Sequence, residues 1–357
     1  MAADLSDREL RLLRMRSQGL LPGSERKTVA AAAAAALAIQ AQDVGTGLLG
    51  VRARTSGLTA DNVARARGAC RSWLMRNTLF LFAEKDLAWL RPLLSDRLLV
   101  PALRRLGQVG MPEKEVDRVM GLMSDQLSDG PAPRQEVRQA LLDDGLVPGE
   151  NNARIYWNFH VAALRGVFAI KPPLERKQTF APTTPDEEMD REDALGRLGR
   201  RFLEGHGPAN PDDLAYWAKI PKAMAREAFE RAGRMVDLEC ASGTMSALPS
   251  QAAPPQVSGE PVVRLLGSWD HWLLSWADRT LCLPKSQKDV FLVSGRPSAY
   301  ADGLAFATWK MRRAPGSLEV VVEPFDRVPR GARPGLEAEA DDIGRFLGTD
   351  AVLVIER

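Results

Sequence analysis

A succession of short helices followed by a short β-hairpin recurs along the chain and limits its possible folds more than any other feature. Apolar spacing with Gly and Thr at the boundaries predicts helices over residues 7–20 and Thr28–Ile39, and a third after the N-cap residue Thr59. The segment Trp73–Phe82 predicts two short strands that turn at Asn77. Three helices followed by a two-stranded hairpin are the order of elements in a winged helix.

The same order returns twice, at intervals of about eighty residues, which indicates duplicated modules. Helices are predicted over Pro112–Leu127 and Pro133–Leu142, and the alternating apolar residues of Arg154–Ala169 predict the paired strands of this second occurrence. The third occurrence follows the acidic segment Pro182–Asp193. Its predicted helices are Ala194–Glu204, a segment that carries Trp217, and Lys222–Ala232.

The final part of the chain changes to a strand-forming pattern. A segment rich in Pro, Ser, Gln and Ala precedes it, and we interpret that segment as a linker. Strands are predicted over Val290–Val293, Leu304–Met311, Leu318–Val322 and Ala351–Ile355, with a helix over Leu336–Leu347. This run of elements predicts a small antiparallel sheet or barrel.

The predicted fold class is therefore α+β and mainly α, with three tandem winged-helix modules around a channel and a small β-barrel-like domain after them. The predicted boundaries are 1–110, 111–181 and 182–246 for the three modules, 247–259 for the linker and 260–357 for the β domain. A hydrophobic share of 45% and a charged share of 26% fit such folded modules and exclude collagen, coiled coil and wholesale disorder.

An aromatic stripe lies at the start of the predicted β domain. Trp269, Trp272 and Trp276 have helical spacing, which is typical of a buried core, and His271 among them is interpreted as structural. The carboxylates that flank the stripe are Asp270 and Asp278. We interpret them as helix-capping residues or as partners of Arg279.

The cysteines and histidines are too few and too dispersed for a metal site or a disulfide framework. They are Cys70, Cys240, Cys282, His160, His206 and His271. Because no two of them stand at ligand spacing, we expect no metal, no cofactor and reduced thiols. The longest apolar run, Val29–Ile39, has eleven residues where a bilayer needs about twenty, and no signal sequence is visible. A cytoplasmic monomer is expected.

Basic charge is concentrated in the first module. Residues 1–110 contain seventeen Lys and Arg against nine Asp and Glu, whereas the rest of the chain contains thirty-one against thirty-seven. Basic charge on one segment of a nearly neutral protein indicates a surface that binds a polyanion. We predict phosphate contacts by Arg52, Arg54, Arg65, Arg71, Arg76 and Arg296.

Familiar catalytic motifs do not occur. The sequence has no phosphate loop, no GxGxxG that follows a predicted strand, no HExxH and no GxSxG. Gln40 and Gln42 stand out as two amides, two residues apart, where the Ala-rich helix gives way to glycines. Paired glutamines at a helix end most often face solvent. The residues alone therefore indicate no more than a nucleic-acid-binding protein with several winged helices.

Several short motifs, taken in order, resemble those of a known family. They are Gln40-Ala41-Gln42-Asp43, Arg76-Asn77-Thr78-Leu79, Gly207-Pro208-Ala209 through Trp217, Asp270 through Arg279, and Asp302-Gly303 through Trp309. The chain resembles the AlkZ-like winged-helix DNA glycosylases, the azinomycin self-resistance type, over roughly Asp7–Gly348. The superfamily also contains the YcaQ branch.

The resemblance assigns roles to particular residues. The AlkZ-like branch is marked by Gln-hydrophobic-Gln, which makes Gln40 and Gln42 the catalytic pair, with Asp43 as the alternative base. The family pattern at the first hairpin is Arg-Gly-Thr-Leu-His, and here Asn77 replaces the glycine and Phe80 the histidine. Any DNA contact made by that histidine therefore does not carry over to this chain.

The function implied is hydrolysis of the N-glycosidic bond of bulky N7-alkylated purines in double-stranded DNA, interstrand crosslinks included. An amide is too weak to act as a base, but it can hold and orient a water molecule. That is enough when the leaving base already carries a positive charge, as N7-alkylguanine does. The implied roles are base excision repair and self-resistance to a genotoxic natural product.

A transcription regulator without enzymatic activity is the alternative. Such a protein would place its readers on a recognition helix in the major groove. The segment Thr59–Arg71, with Arg65, Arg67 and Arg71, is the candidate helix. A glycosylase would instead place the glutamine pair in a concave basic channel.

Overall fold

The structure, a computed structural model, describes residues 5–145, 147, 152–257, 259–287 and 295–356, which form a mixed α/β fold dominated by helices. The helices are α1 Asp7–Ser17, α2 Val29–Ala35, α3 Val44–Arg52, α4 Ala60–Ala64, α5 Glu84–Gln108, α6 Glu113–Gln126, α7 Arg134–Asp143, α8 Asn152–Leu164, α9 Arg191–His206, α10 Pro211–Ala218, α11 Lys222–Glu230, α12 His271–Leu274 and α13 Arg333–Leu347. The strands are β1 Ile39–Gln40, β2 Ala69–Trp73, β3 Leu79–Ala83, β4 Ala132–Pro133, β5 Phe168–Ile170, β6 Thr179–Pro182, β7 Val236–Leu238, β8 Met245–Ala247, β9 Val263–Leu266, β10 Ser298–Ala301, β11 Leu304–Ala314, β12 Ser317–Pro324 and β13 Ala351–Ile355. Within the described part of the chain, no helix is long and apolar enough to cross a membrane.

An antiparallel sheet joins the first two predicted modules. Its strand order is β1-β3-β2-β5-β6-β4, so strands before and after residue 110 share one sheet. Gln40 pairs with Phe80 across β1 and β3, and Arg71 of β2 pairs with both Leu81 and Ile170. The largest apolar cluster packs this sheet against α5, α8 and α9. The sheet therefore crosses the predicted boundary between the modules.

The hairpin β2–β3 confirms the predicted turn at Asn77 and the strand after it, but the first strand is Ala69–Trp73, which lies almost entirely before the predicted segment Trp73–Phe82. Thr78 N donates to Met75 O across the turn, and the two residues between them have φ values of 60° and 56°. Such turns need a left-handed backbone at both central positions, and Asn tolerates it better than most residues other than Gly. Asn77 can therefore replace the glycine of the family pattern, although Arg76 is held in a strained conformation.

The predicted paired strands over Arg154–Ala169 are wrong, because most of that segment is the helix α8. Ile155, Phe159 and Ala163 are buried at a spacing of four residues, as a helix requires. The helix is covered on most sides, so apolar residues also fall at alternate positions, and the pattern does not separate strand from helix. The paired strands of this region are β5 and β6, which follow the helix.

The helices predicted in the third module are confirmed as α9, α10 and α11. A short hairpin follows them, since β7 pairs antiparallel with β8. This hairpin was not predicted, because each of its strands is three residues long, too short for alternation to be a signal. Asn210 caps α10 with a reciprocal hydrogen-bond pair to Asp213, as the Asn-Pro-Asp-Asp sequence favours.

The C-terminal sheet is open, not closed into a barrel. Its order is β9-β10-β11-β12-β13, and the edge strand β13 runs parallel to β12. Helix α13 makes the crossover between those two strands and packs Leu336 and Ile343 on one face of the sheet. This covering helix leaves no room for the sheet to close on itself, so the barrel prediction is wrong for the described residues. The predicted strand Val290–Val293 lies outside them.

A Gly-x-Gly-x-x-Gly spacing follows the short strand β1, contrary to the prediction that none follows a strand. It consists of Gly45, Gly47 and Gly50, at the start of α3. A Cβ on Gly47 would lie 2.5 Å from the side chain of Leu174, and one on Gly50 would lie 3.0 Å from Ile39. β1 pairs antiparallel, so there is no parallel βαβ unit at this point. These glycines therefore serve close packing.

Candidate active site and DNA-binding residues

The predicted helix Thr28–Ile39 ends early, and its last residues position the glutamine pair. Helix α2 stops at Ala35, Leu37 takes a left-handed φ of 60°, and the chain then enters β1. The ladder continues beyond Gln40, since Ala41 N donates to Leu79 O over 3.0 Å. Gln40 is the last residue of β1, and Gln42 lies in the bend between β1 and α3. The glutamine pair therefore stands where the edge strand passes into the next helix.

The two amides differ in their surroundings. Gln40 is 7% exposed, and its Oε1 is buried with no hydrogen-bond donor among the described residues. Burying an unsatisfied carbonyl oxygen costs about 1–3 kcal/mol, so such an oxygen usually has a water or ligand as its donor. Gln42 is exposed, and its Oε1 accepts a hydrogen bond from Leu79 N over 3.0 Å. That bond fixes the Gln42 amide beside the hairpin.

Asp43, the alternative base, already has a structural role. Its Oδ1 accepts from Thr46 N over 2.8 Å, which makes it the N-cap of α3. A carboxylate at a helix N-terminus is stabilised by the free N–H groups and the helix dipole. Asp43 is exposed and follows the last residue of β1, Gln40, by three residues.

Two of the predicted DNA contacts, Arg52 and Arg54, are inside the protein. Arg52 is 2% exposed and binds Glu339 and Asp342, each over 2.8 Å. Arg54 is 1% exposed and binds both carboxylate oxygens of Asp270, over 2.8 and 3.0 Å. These side chains are neutralised by carboxylates and cannot reach a phosphate, so the prediction is wrong for both. They hold α3 against the C-terminal part of the chain.

Arg71 is also buried, at 1% exposure, on β2. Its Nη1 donates to the carbonyl oxygen of Ala41 over 3.4 Å and so holds the peptide between the two glutamines. Burial lowers the pKa of Arg71 to about 10. The prediction of a direct phosphate contact is therefore wrong for Arg71 as well.

The remaining predicted contacts lie at the surface. Arg65 and Arg296 are exposed, and Arg76 is half-buried at the hairpin turn. Helix α4 ends at Ala64, and Arg71 lies on a strand, so the recognition helix predicted over Thr59–Arg71 does not form. The N-cap Thr59 itself is confirmed. A regulator would need that helix in a major groove.

Two residues near the hairpin turn, Tyr216 and Arg279, were not among the predicted DNA contacts but lie beside Arg76, which was. The guanidinium carbon of Arg76 lies 5.3 Å from the ring centroid of Tyr216, and that of Arg279 lies 5.1 Å from the same centroid. The sequence suggested that Arg279 pairs with Asp278. In the structure Asp278 instead accepts from Thr280 N and Oγ1. Sequence spacing gives no signal that residues 76, 216 and 279 meet.

Buried histidines lie close to the cross-strand partner of Gln40. The Phe80 ring, paired with Gln40 across the sheet, meets the His271 ring at a centroid distance of 6.3 Å. His271 Nε2 accepts from Trp217 Nε1 over 3.0 Å, which confirms its structural role. Burial lowers the pKa of His206 to about 3 and that of His271 well below its ordinary value. Both imidazoles are therefore neutral and weakly basic at neutral pH.

The thiols and acidic groups suggest no other chemistry. Burial raises the pKa of Cys70 and of Cys282 to about 12, so both thiols stay protonated. No three His, Cys, Asp or Glu side chains of the described ranges come together at metal-binding distance. The thiols of Cys70 and Cys282 therefore supply no nucleophile, and the described residues form no metal site.

The family match shows that the protein is of a class of enzymes that act on DNA. The model of the family described as "DNA glycosylase AlkZ-like" matches residues 33–346. The chain belongs to the AlkZ-like DNA glycosylase family, which makes DNA its partner and DNA repair its context.

A solved structure agrees on the fold. The chain is similar to the Streptomyces sahachiroi DNA glycosylase AlkZ, with a TM-score of 0.79 and 20% sequence identity. The match covers 99% of this chain and 100% of that one. A search of curated protein sequences gives no match.

Proposed function

We propose that the protein hydrolyses the N-glycosidic bond of bulky N7-alkylated purines in double-stranded DNA, interstrand crosslinks included, with a water held by Gln40 and Gln42. The observation that carries this proposal is the buried Oε1 of Gln40, which has no hydrogen-bond donor among the described residues, at the end of the strand that leads to Gln42. A water molecule is a suitable donor for that oxygen.

The chemistry needs little activation from the protein. The oxygen of water attacks C1′, and the electron pair of the C1′–N9 bond moves into the base, which cancels the positive charge created by N7 alkylation. The proton of the water is lost to solvent, and an abasic site remains. Because the leaving group is cationic, two amides that only orient water are sufficient, and normal guanine is spared. The proposed enzyme is therefore a monofunctional glycosylase without a metal or cofactor.

A crosslinked base is too bulky to be turned out of the duplex into a tight pocket. We therefore place the reaction in an open channel lined by three winged-helix modules, where the enzyme meets the lesion within the duplex. The helices and hairpins around β2–β3, β5–β6 and β7–β8 would supply those modules. The proposed cellular role is base excision repair as self-resistance to a genotoxic natural product, by a cytoplasmic monomer at the nucleoid.

The direct test is incubation with a duplex that contains N7-methylguanine, followed by detection of abasic sites. Gln40→Ala and Gln42→Ala should each slow excision by roughly 10²-fold, the lower range for loss of a positioned catalytic group. Both should bind lesion DNA as the wild type does, because neither residue carries charge. Gln126→Ala, at an exposed position on α6, is the matched control and should not change the rate.

A second variant tests the role of the water. Gln42→Glu introduces a true base and should retain or raise activity on the cationic lesion. If both alanine variants excise at the wild-type rate, the pair is structural and Asp43→Asn becomes the next test. EDTA should have no effect, and borohydride should trap no protein–DNA adduct. A trapped adduct would instead demonstrate a lyase step through a lysine.

A further inference from the structure

Three residues from distant parts of the chain meet beside the hairpin turn: Arg76, Tyr216 on α10, and Arg279 beyond α12. Both guanidinium groups lie against the same tyrosine ring, at distances typical of cation–π contact. We call these three residues the arginine pair on Tyr216.

The two guanidinium groups have no counter-charge among the described residues. Arg279 is 6% exposed, and neither it nor Arg76 makes an ion pair or a side-chain hydrogen bond to a carboxylate of the described residues. The Nη1 atom of each is buried without a partner. Burial lowers the pKa of both side chains, and Arg76 lowers that of Arg279 further. Two like charges held together at this cost are normally matched by a bound anion.

The position fits a DNA phosphate. Arg76 precedes Leu79 by three residues, and Leu79 N holds the Gln42 amide. Three residues of chain span at most about 11 Å, so the backbone of Arg76 lies that close to the anchor of the glutamine pair. Arginine binds phosphate through two parallel N–H donors and is the usual residue for that contact.

We propose that Arg76 and Arg279, held on the ring of Tyr216, bind one phosphodiester group of the DNA backbone beside the lesion. The proposal rests on the proposed function for where the phosphate lies along the strand, but not for its binding. A single shared phosphate relieves the repulsion between the two guanidinium groups. We call the arginine pair on Tyr216, with its bound phosphate, the clamp. It would join the hairpin, α10 and the C-terminal part of the chain at one strand of DNA.

The test uses the full chain and an unmodified duplex, with binding measured by fluorescence anisotropy over a range of salt concentrations. Each phosphate contact contributes about −0.9 to the slope of log K against log salt. Arg76→Gln and Arg279→Gln should each make the slope shallower by about 0.9. The slope of the double variant should become no shallower than that of either single variant, because the same phosphate contact is lost in all three. Arg226→Gln, which removes an exposed charge on α11, is the charge-matched control.

The outcomes separate the clamp from the catalytic proposal. The clamp would be overturned if the salt slope were unchanged in Arg279→Gln or changed equally in Arg226→Gln. It would also be overturned if the slope of the double variant became shallower by about 1.8, because that would mean two separate phosphates. Tyr216→Phe keeps the ring and should keep the slope, whereas Tyr216→Leu should make it shallower, with thermal melting used to confirm that the variant is folded. Gln40→Ala should keep the wild-type slope. Loss of excision with an intact slope would therefore concern the glutamine pair alone.

Discussion

Two sets of buried arginines show how one residue type serves two purposes in this protein. Arg52 and Arg54 are almost fully buried, and each is bound to carboxylates at 2.8 Å. Arg279 is nearly as buried, and Arg76 is half-buried, yet both lie against a tyrosine ring with no carboxylate partner in the described part of the chain. We refer to these sets as the paired arginines and the unpaired arginines.

The difference lies in what neutralises the charge. A buried arginine that is bound to a carboxylate is complete within the folded chain, and its removal leaves the carboxylate uncompensated. A buried arginine without a carboxylate reduces stability unless an external anion binds it. The paired arginines are therefore expected to govern stability, and the unpaired arginines to govern DNA binding.

The largest effect is expected at the paired arginines. Arg54→Gln leaves the buried Asp270 without its bidentate partner and should lower the free energy of unfolding by about 3–5 kcal/mol, measured by denaturant titration. Arg8→Gln is the control, because Arg8 binds Asp302 at the surface and its loss should cost about 1 kcal/mol or less. Equal losses in the two variants would contradict the assignment of Arg54 to structure.

Acid should weaken the same region. Gln18 donates to Ser275, accepts from Arg54 and contacts His206, whose folded-state pKa of about 3 is far below its ordinary value of 6.5. The unfolded chain therefore binds more protons as the pH falls below about 6.5, and stability falls until the pH nears 3. At pH 5 the loss from this residue is about 2 kcal/mol relative to pH 7. His206→Gln should reduce the difference in melting temperature between these pH values, and an undiminished difference would assign it to other groups.

The unpaired arginines should behave in the opposite way. Arg279→Met removes a buried charge that has no counter-charge among the residues that the structure describes, and the free energy of unfolding should stay the same or rise by up to about 1 kcal/mol. The same variant should bind duplex DNA more weakly. A loss of more than about 2 kcal/mol would mean that Arg279 has a structural role like that of Arg54.

The smallest effect is expected at the exposed arginines. Arg296→Gln should leave the melting temperature unchanged, because surface substitutions usually alter stability by less than about 0.5 kcal/mol. If Arg296 contacts a phosphate, the salt slope should become shallower by about 0.9. An unchanged slope would leave Arg296 outside the DNA-binding surface, and Arg65→Gln would be measured next.

Features that depend on neighbouring residues could be predicted from the sequence, whereas features that depend on distant partners could not. The hairpin that turns at Asn77, the N-cap Thr59, the helix at residues 333–347 and the strand Ala351–Ile355 all follow from signals within a few neighbouring residues. The helix α8 was mistaken for strands because burial on most sides removes the periodicity on which such predictions depend.

The predicted DNA contacts depended on distant partners and were therefore less reliable. A count of charges along residues 1–110 cannot show that Arg54 binds Asp270, 216 residues further along the chain. Nor can it show that Arg52 binds Glu339, 287 residues further along. It cannot show that Arg279 has no such partner either. The glutamine pair was recognised only through the resemblance to a family, because neutral amides at that spacing are common on surfaces.

Helix α1 docks on parts of the chain that are synthesised much later. Arg8 binds Asp302, which lies 294 residues further along, and Leu12 and Met15 pack with Trp272, Trp276 and Tyr300. A ribosome that adds about 5–20 residues per second needs on the order of 15–60 s to make that intervening stretch. Throughout this period the apolar side of α1 lacks its cover by Trp272, Trp276 and Tyr300. We therefore expect the yield of active protein in a cell to depend on chaperone supply and translation speed more than on the stability of the finished fold.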